Sequence, residues 1–155
     1  MPGFYATHEK QLDAKRRLVI PADFRAAATT PEFEGVWCFP SIESDCIEGG
    51  GQALFDRYQG VIDELAHGDP LRSALEVSVF GGMVRLPFDP AGRILLPDSL
   101  RQPFGIEDEV AIVGLGDRFQ IWALDAYREH RARERTFARD GLAALRNAQR
   151  GAKAA

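Results

Sequence analysis

Asp13-Ala14-Lys15-Arg16-Arg17-Leu18-Val19-Ile20-Pro21-Ala22-Asp23-Phe24-Arg25 returns later in the same chain as Asp89-Pro90-Ala91-Gly92-Arg93-Ile94-Leu95-Leu96-Pro97-Asp98-Ser99-Leu100-Arg101. The offset is 76 residues and needs no gap. Asp, Arg, Pro and Arg recur at 13/89, 17/93, 21/97 and 25/101, with an aliphatic triplet between the first Arg and the Pro. Internal repetition constrains architecture more than local propensity does. Two copies make a duplicated unit and not a solenoid.

Working outward, each copy reads as strand, turn, strand, proline, short helix. In the first, Phe4–Leu12 is strand-like, Asp13–Arg16 has turn composition and Arg17–Ile20 is a short aliphatic strand. The two flanks are close enough to pair as a hairpin. Pro21 suits the first helical position, where a missing N–H costs nothing, and opens about two turns over Ala22–Ala28. In the second copy, strand Met83–Phe88, turn Asp89–Gly92 and strand Arg93–Leu96 precede Pro97 and a helix to Arg101 or Gln102. Its Asp-Pro-Ala-Gly turn has type I chemistry.

Further strands follow each unit: Val36–Phe39 and Asp45–Ile47, then Glu109–Val113 and Arg118–Trp122. Gly114-Leu115-Gly116-Asp117 is a hairpin connection, since no lysine or helix start accompanies it to cradle a phosphate. Gly49-Gly50-Gly51 reads as a flexible lead into an amphipathic helix over Gln52–Ala66. Asp69 caps, and Pro70 opens, another helix that ends at Gly81-Gly82; its Val77-Ser78-Val79 also suits a strand. Asp125 begins the last helix, through Arg139 and after Gly141 to Gln149, with a frayed end at 151–155. The chain thus divides into a first repeat at 4–50, connecting helices at 51–80, a second repeat at 81–127 and a basic C-terminal helix or tail at 128–155.

The chain has 155 residues, 45% hydrophobic and 27% charged, which suits one domain or two half-domains sharing a core. The N-terminus has no basic region followed by an apolar run, and no stretch nears the roughly 20 apolar residues of a membrane span. Cys38 and Cys46 fit neither a zinc knuckle nor a disulfide scaffold and read as free thiols in a reducing cytoplasm. The net charge of −4 is uneven: +2 over 8–25, +5 over 128–155 and −11 over 26–127. Local fields decide binding more than the total does.

Enzyme chemistry finds no anchor. His8, His67 and His130 lie far apart, outside any metal-ligand spacing, and read as surface or cap residues. No Gly-x-Ser-x-Gly occurs. Asp13 and Asp89 each have an Arg four residues on, which keeps the carboxylate ionised and unsuited to proton transfer. Two readings of the Asp-x-x-x-Arg spacing stand side by side. One is a turn closed by a salt bridge. The other adds that Lys15, Arg16, Arg17 and Arg93 form a rim of cations that grips phosphates or reads guanine in the major groove, where a two-stranded ribbon fits. The Arg- and Ala-rich last helix likewise reads either as a solvated tail or as a basic arm, with only Tyr127, Phe137, Leu142 and Leu145 to anchor it.

Leu12–Pro21, Phe80-Gly81-Gly82, Asp89–Pro97 and Val113-Gly114-Leu115-Gly116-Asp117-Arg118-Phe119-Gln120-Ile121-Trp122, in this order, resemble the MraZ proteins over residues 4–135. The resemblance implies an α+β fold: a duplicated AbrB/MazE-like swapped-hairpin β-barrel with peripheral helices. The repeats at 4–50 and 81–127 are then AbrB/SpoVT-like units supplying both halves of the barrel. It further implies a cytoplasmic, nucleoid-associated bacterial regulator that assembles as a ring-shaped homo-oligomer. Such a regulator binds short direct repeats of double-stranded DNA at the promoter of the division and cell-wall gene cluster, usually as a repressor. The family's DNA-contacting turns carry over to Asp13, Lys15, Arg17, Asp89 and Arg93.

Arg16 departs from the family pattern, which has glycine there, as the second copy has at Gly92. An arginine disfavours a left-handed turn position and adds a charge to the DNA-binding set. With Lys15 facing Ala91 at the matching position, the first turn is expected to bind more strongly. No cofactor, metal, small-molecule substrate or membrane partner is implied. Two rivals remain: a protein-interaction module whose basic turns make intersubunit salt bridges, and an antitoxin-like AbrB relative. The latter usually carries one hairpin unit and a toxin-binding tail.

Overall fold

The computed structural model describes residues 3–154. Met1, Pro2 and Ala155, which enter the expectations about a leader segment and a frayed end, lie outside the described residues. Residues through Ala123 form one compact unit, and residues from Leu124 onward form a second.

The first unit contains β1 (Thr7–Gln11), β2 (Arg17–Val19), α1 (Ala22–Ala28), β3 (Gly35–Pro40), β4 (Ile47–Gly50), α2 (Gln52–Asp63) and α3 (Pro70–Leu75). It continues with β5 (Val84–Pro87), β6 (Arg93–Leu95), α4 (Asp98–Arg101), β7 (Glu109–Gly114) and β8 (Phe119–Ala123). Helices and antiparallel strands mix, as α+β predicts. Six strands form a sheet in the order β1-β7-β8-β4-β3-β5, and β2 pairs with β6 in a separate ribbon.

That order is a palindrome under one exchange: β1 with β5, β2 with β6, β3 with β7 and β4 with β8. β1 pairs with β7 and β5 pairs with β3, so the first strand of each repeat joins the other repeat's sheet segment. The self-matching strands pair directly, with Leu18 opposite Ile94 and Glu48 opposite Gln120.

This pairing corrects the expected hairpin. The turn closes locally, with the Asp13 N–H donating to the Arg17 carbonyl at 3.1 Å, but β1 and β2 then part into different sheets. The reason is apolar burial across the repeats. Leu18 and Ile94 are both fully buried where the ribbon strands meet. They join one core with Leu12, Ile20, Phe24, Val36, Leu86, Leu96, Leu100, Val110, Phe119 and Ile121, drawn from both repeats.

Several local expectations shift as well. β4 is Ile47–Gly50, so Gly49 and Gly50 are buried strand residues and not a flexible lead. A Cβ on Gly49 would lie 2.5 Å from the Phe119 ring, so glycine is what lets that ring close on the sheet. Asp69 caps α3 by accepting from the Leu71 N–H at 2.9 Å, and Pro70 takes the first position. The segment Glu76–Phe80 continues as a π-helical turn and not a strand. His8 is half-buried rather than a plain surface residue: it meets Phe24 edge-on at 5.4 Å, and its Nε2 is buried without a hydrogen-bond partner among the described residues. Cys38 and Cys46 are buried free thiols, and burial pushes the Cys38 thiol up to about 12.

In the second unit, α5 (Leu124–Ala154) is one continuous helix, and Gly141 does not interrupt it. Alanine, arginine and leucine have high helix propensity and absorb the roughly 1 kcal/mol that one glycine costs. Phe137 is 77% exposed on it.

The least anticipated feature of the first unit is Glu48, fully buried on β4. Its carboxylate accepts from Arg118 Nε at 2.8 Å, Ser41 Oγ at 2.8 Å and Tyr58 Oη at 3.1 Å. Removing one partner of a buried ion pair strands the other charge. Arg118→Ala should therefore destabilise by about 3 kcal/mol, lowering Tm by about 10 °C. Replacing both as Glu48→Leu with Arg118→Met should cost clearly less. Thermal unfolding followed by circular dichroism checks this, and an unchanged Tm in Arg118→Ala would contradict it.

Candidate nucleic-acid interface

The two Asp-x-x-x-Arg segments fold into matching turns. In the first, Asp13 Oδ1 accepts from the N–H groups of Lys15 and Arg17, each at 2.9 Å, while Oδ2 accepts from Arg17 Nε at 2.7 Å. In the second, Asp89 Oδ1 accepts from the N–H of Ala91 at 3.0 Å and of Arg93 at 2.9 Å, and Oδ2 from Arg93 Nε at 2.8 Å. Short aspartates suit this work because their side chain reaches the amides two residues on. In each turn the aspartate carbonyl also accepts from the residue three on, Arg16 or Gly92, at 2.9 Å.

Those third-on residues adopt the left-handed conformation, Arg16 at φ 62° and Gly92 at φ 78°. Arginine thus takes the position that its Cβ disfavours. Its side chain offsets the strain: Nη1 donates to the Glu107 carbonyl and pairs with Asp108 at 3.0 Å. In the second turn the backbone is left-handed, which glycine takes without strain, and a Cβ there would also have to push aside the Arg25 guanidinium 2.6 Å away.

The ribbon then locks the turns to each other. The Ile20 N–H donates to the Gly92 carbonyl at 3.1 Å, and the Leu96 N–H donates to the Arg16 carbonyl at 3.0 Å. Each turn's left-handed residue therefore anchors the strand end of the other copy. Because β2 and β6 run antiparallel, the turns sit at opposite ends of one short ribbon. Arg93 Nη1 also lies 3.7 Å from Asp13 Oδ2, linking the two Asp-Arg pairs directly. The second repeated arginines hold the frame: Arg25 donates to the Ile20 carbonyl, and Arg101 Nε donates to the Leu96 carbonyl at 3.1 Å.

Of the six residues marked from the sequence, Asp13, Arg17, Asp89 and Arg93 come together as this double clamp. Lys15 is exposed at the first turn's tip. Arg16 turns aside to Asp108. The carboxyls of Asp13 and Asp89 are held below the ordinary aspartate range, first by the N–H of Arg17 or Arg93 and then by the same residue's guanidinium. Both remain ionised at neutral pH, with Nε of each arginine occupied by its own aspartate and Nη1 of Arg93 also near Asp13, while each guanidinium keeps further N–H donors. Asp108 as a partner for Arg16 was missed, because only the β1–β7 pairing brings Asp108 near the turn. Among the described residues, no group of three or more His, Cys, Asp or Glu is placed to hold a metal ion. No helix among them is long and apolar enough to cross a membrane.

Comparison with known proteins gives the family of the chain. Residues 79–146 match the family model described as "MraZ protein, putative antitoxin-like". The chain is 66% identical over 152 residues to a protein of Phenylobacterium zucineum named transcriptional regulator MraZ, covering 98% of this chain and 94% of that one. A Caulobacter vibrioides protein of the same name is 61% identical over 150 residues, covering 97% and 96%. One from Rickettsia bellii is 37% identical over 136 residues, covering 88% and 91%. At such identity over nearly the whole length, the chain belongs to the MraZ family.

Proposed function

We propose that this chain is a DNA-binding transcriptional regulator whose contact surface is the pair of Asp-x-x-x-Arg turns held together by the β2–β6 ribbon. The observation that carries the proposal is that pairing: two Asp-clamped arginines, Arg17 and Arg93, held in one ribbon with Lys15 exposed beside them. The name shared by the relatives supports it. In this reading Asp13 and Asp89 orient, Arg17 and Arg93 reach guanine edges or phosphates, and Lys15 adds a phosphate contact. Arg16, tethered to Asp108, contributes charge from the flank.

The exchange of β1 and β5 between repeats supports the AbrB-like swapped-hairpin barrel, with repeats at 4–50 and 81–127, connecting helices at 51–80 and a basic helix at 128–155. The resemblance to the family extends the proposal further. The regulator works as a ring-shaped homo-oligomer in the cytoplasm, associates with the nucleoid, and represses the division and cell-wall gene cluster by binding direct repeats in its promoter. One protomer offers a small rim of positive charge. Repeating that rim on tandem sites converts weak contacts into useful affinity through effective concentration. This reconciles a net charge of −4 with a polyanionic partner.

Titration of the purified protein onto its own upstream DNA at several salt concentrations tests the proposal. Binding should weaken steeply as salt rises. Arg17→Ala should cost at least tenfold in affinity and lower the salt slope by about 1 per site. No binding at low salt, or binding untouched by Arg17→Ala, would contradict it. The pH dependence has a definite sign. Asp13 and Asp89 have lowered folded-state pKa values, so their contribution is present above the ordinary aspartate value of about 3.9 and is lost as pH falls below it. Thermal stability should therefore decline below about pH 4, and Asp13→Asn with Asp89→Asn should flatten part of that decline. An identical acid profile in the double variant would refute the clamp's role.

A further inference from the structure

The outer face of the β2–β6 ribbon carries more than the two arginines. In the ladder Arg17 faces Leu95 and Val19 faces Arg93, while Leu18 and Ile94 occupy the other face, fully buried. Four side chains thus share the outward face: two arginines on one diagonal and two aliphatics on the other. Val19 is 42% exposed and Leu95 is 58% exposed. They are matching positions of the two copies, at the same 76-residue offset. Single exposed aliphatics are commonplace. Here the same exposure occurs at both related sites, beside guanidiniums whose Nε atoms are already fixed by aspartate.

Building on the DNA-binding proposal, we infer that Val19 and Leu95 read thymine. Each would pack against the 5-methyl group of a thymine next to the bases met by Arg17 and Arg93. The methyl is the one apolar group on the major-groove edge of a base pair, and the groove admits a two-stranded ribbon. Diagonal partners on such a ribbon lie about 7–8 Å apart, close to two base-pair steps of about 3.4 Å each. The face can therefore pair two cationic and two apolar contacts with neighbouring bases. A second copy is a poorer occupant. An isologous contact would offer this face only a copy of itself, cations and aliphatics whose sole neighbouring carboxylates are already paired. Two aliphatic side chains also fall far short of the about 800 Å² per partner of a stable interface.

The test uses the full-length protein, its own upstream duplex and the same duplex with single thymines replaced by uracil, which removes only the methyl. At one or more positions uracil should weaken wild-type binding about fourfold, the worth of one buried methyl. Leu95→Ala or Val19→Ala should weaken binding to the thymine duplex by a similar factor and no longer respond to uracil at the matching position. Wild-type binding indifferent to every uracil substitution overturns the inference while leaving DNA binding intact. The same holds if both alanine variants bind as tightly as wild type. A changed oligomer mass in Leu95→Ala by light scattering, with DNA affinity unaltered, also overturns it and assigns the face to a second copy. Absence of any binding at low salt removes this inference and the underlying function together.

Discussion

Leu18 packs against Ile94, its own counterpart in the second repeat, and the proposed contact surface hangs on that packing. Strands of three residues, as β2 and β6 are, have no independent stability. Each exists because the other buries its apolar face, a contribution of about 1.5–3 kcal/mol per fully buried aliphatic side chain. The same pairing brings the Gly92 carbonyl to Ile20 and the Arg16 carbonyl to Leu96, so neither turn is shaped by its own repeat alone. On the proposed reading, cations held in place before contact lower the cost of meeting a charged polymer. Here the holding is done by two aspartates, and the spacing by two aliphatics.

The other self-matching pair of the palindrome shows how the duplication had to be broken. Glu48 lies directly opposite Gln120. Two glutamates there would place like charges face to face in the core, a destabilising arrangement. One half keeps the carboxylate and satisfies it with Arg118, Ser41 and Tyr58. The other carries the neutral amide, which accepts from Trp122 Nε1 at 2.9 Å. The turns break symmetry in the same spirit. Arg16 is tolerated where Asp108 can hold it, while its counterpart is glycine, which takes the left-handed backbone without strain beside the Arg25 guanidinium.

Much of this was legible in the sequence, because its causes are local. Asp13 and Asp89 sit at the spacing that closes a turn, Pro21 and Pro97 end strands and open helices, and Asp69-Pro70 marks a helix start. What stayed hidden depends on partners far along the chain. A hairpin was the economical expectation for Phe4–Ile20, yet nothing in that stretch reveals that β1 will prefer β7. The glycines at 49 and 50 resemble a loop until Phe119 closes on the first and Leu54 on the second. Glu48 left one faint signal, a lone carboxylate between Ile47 and three glycines. Val19 and Leu95 read simply as members of the aliphatic triplets, since only the ribbon's register tells which of three aliphatics faces outward.

The central claim is that the ribbon presents Arg17 and Arg93 as one unit to the major groove. Dimethyl sulfate probing of the upstream duplex tests it directly, because this reagent methylates guanine N7 in the major groove and adenine N3 in the minor groove. The expected result is protection of guanine N7 within each bound repeat, lost with Arg17→Ala and with Arg93→Ala, while adenine N3 stays reactive. Protection confined to adenine N3, or guanine protection that survives both substitutions, would contradict the claim.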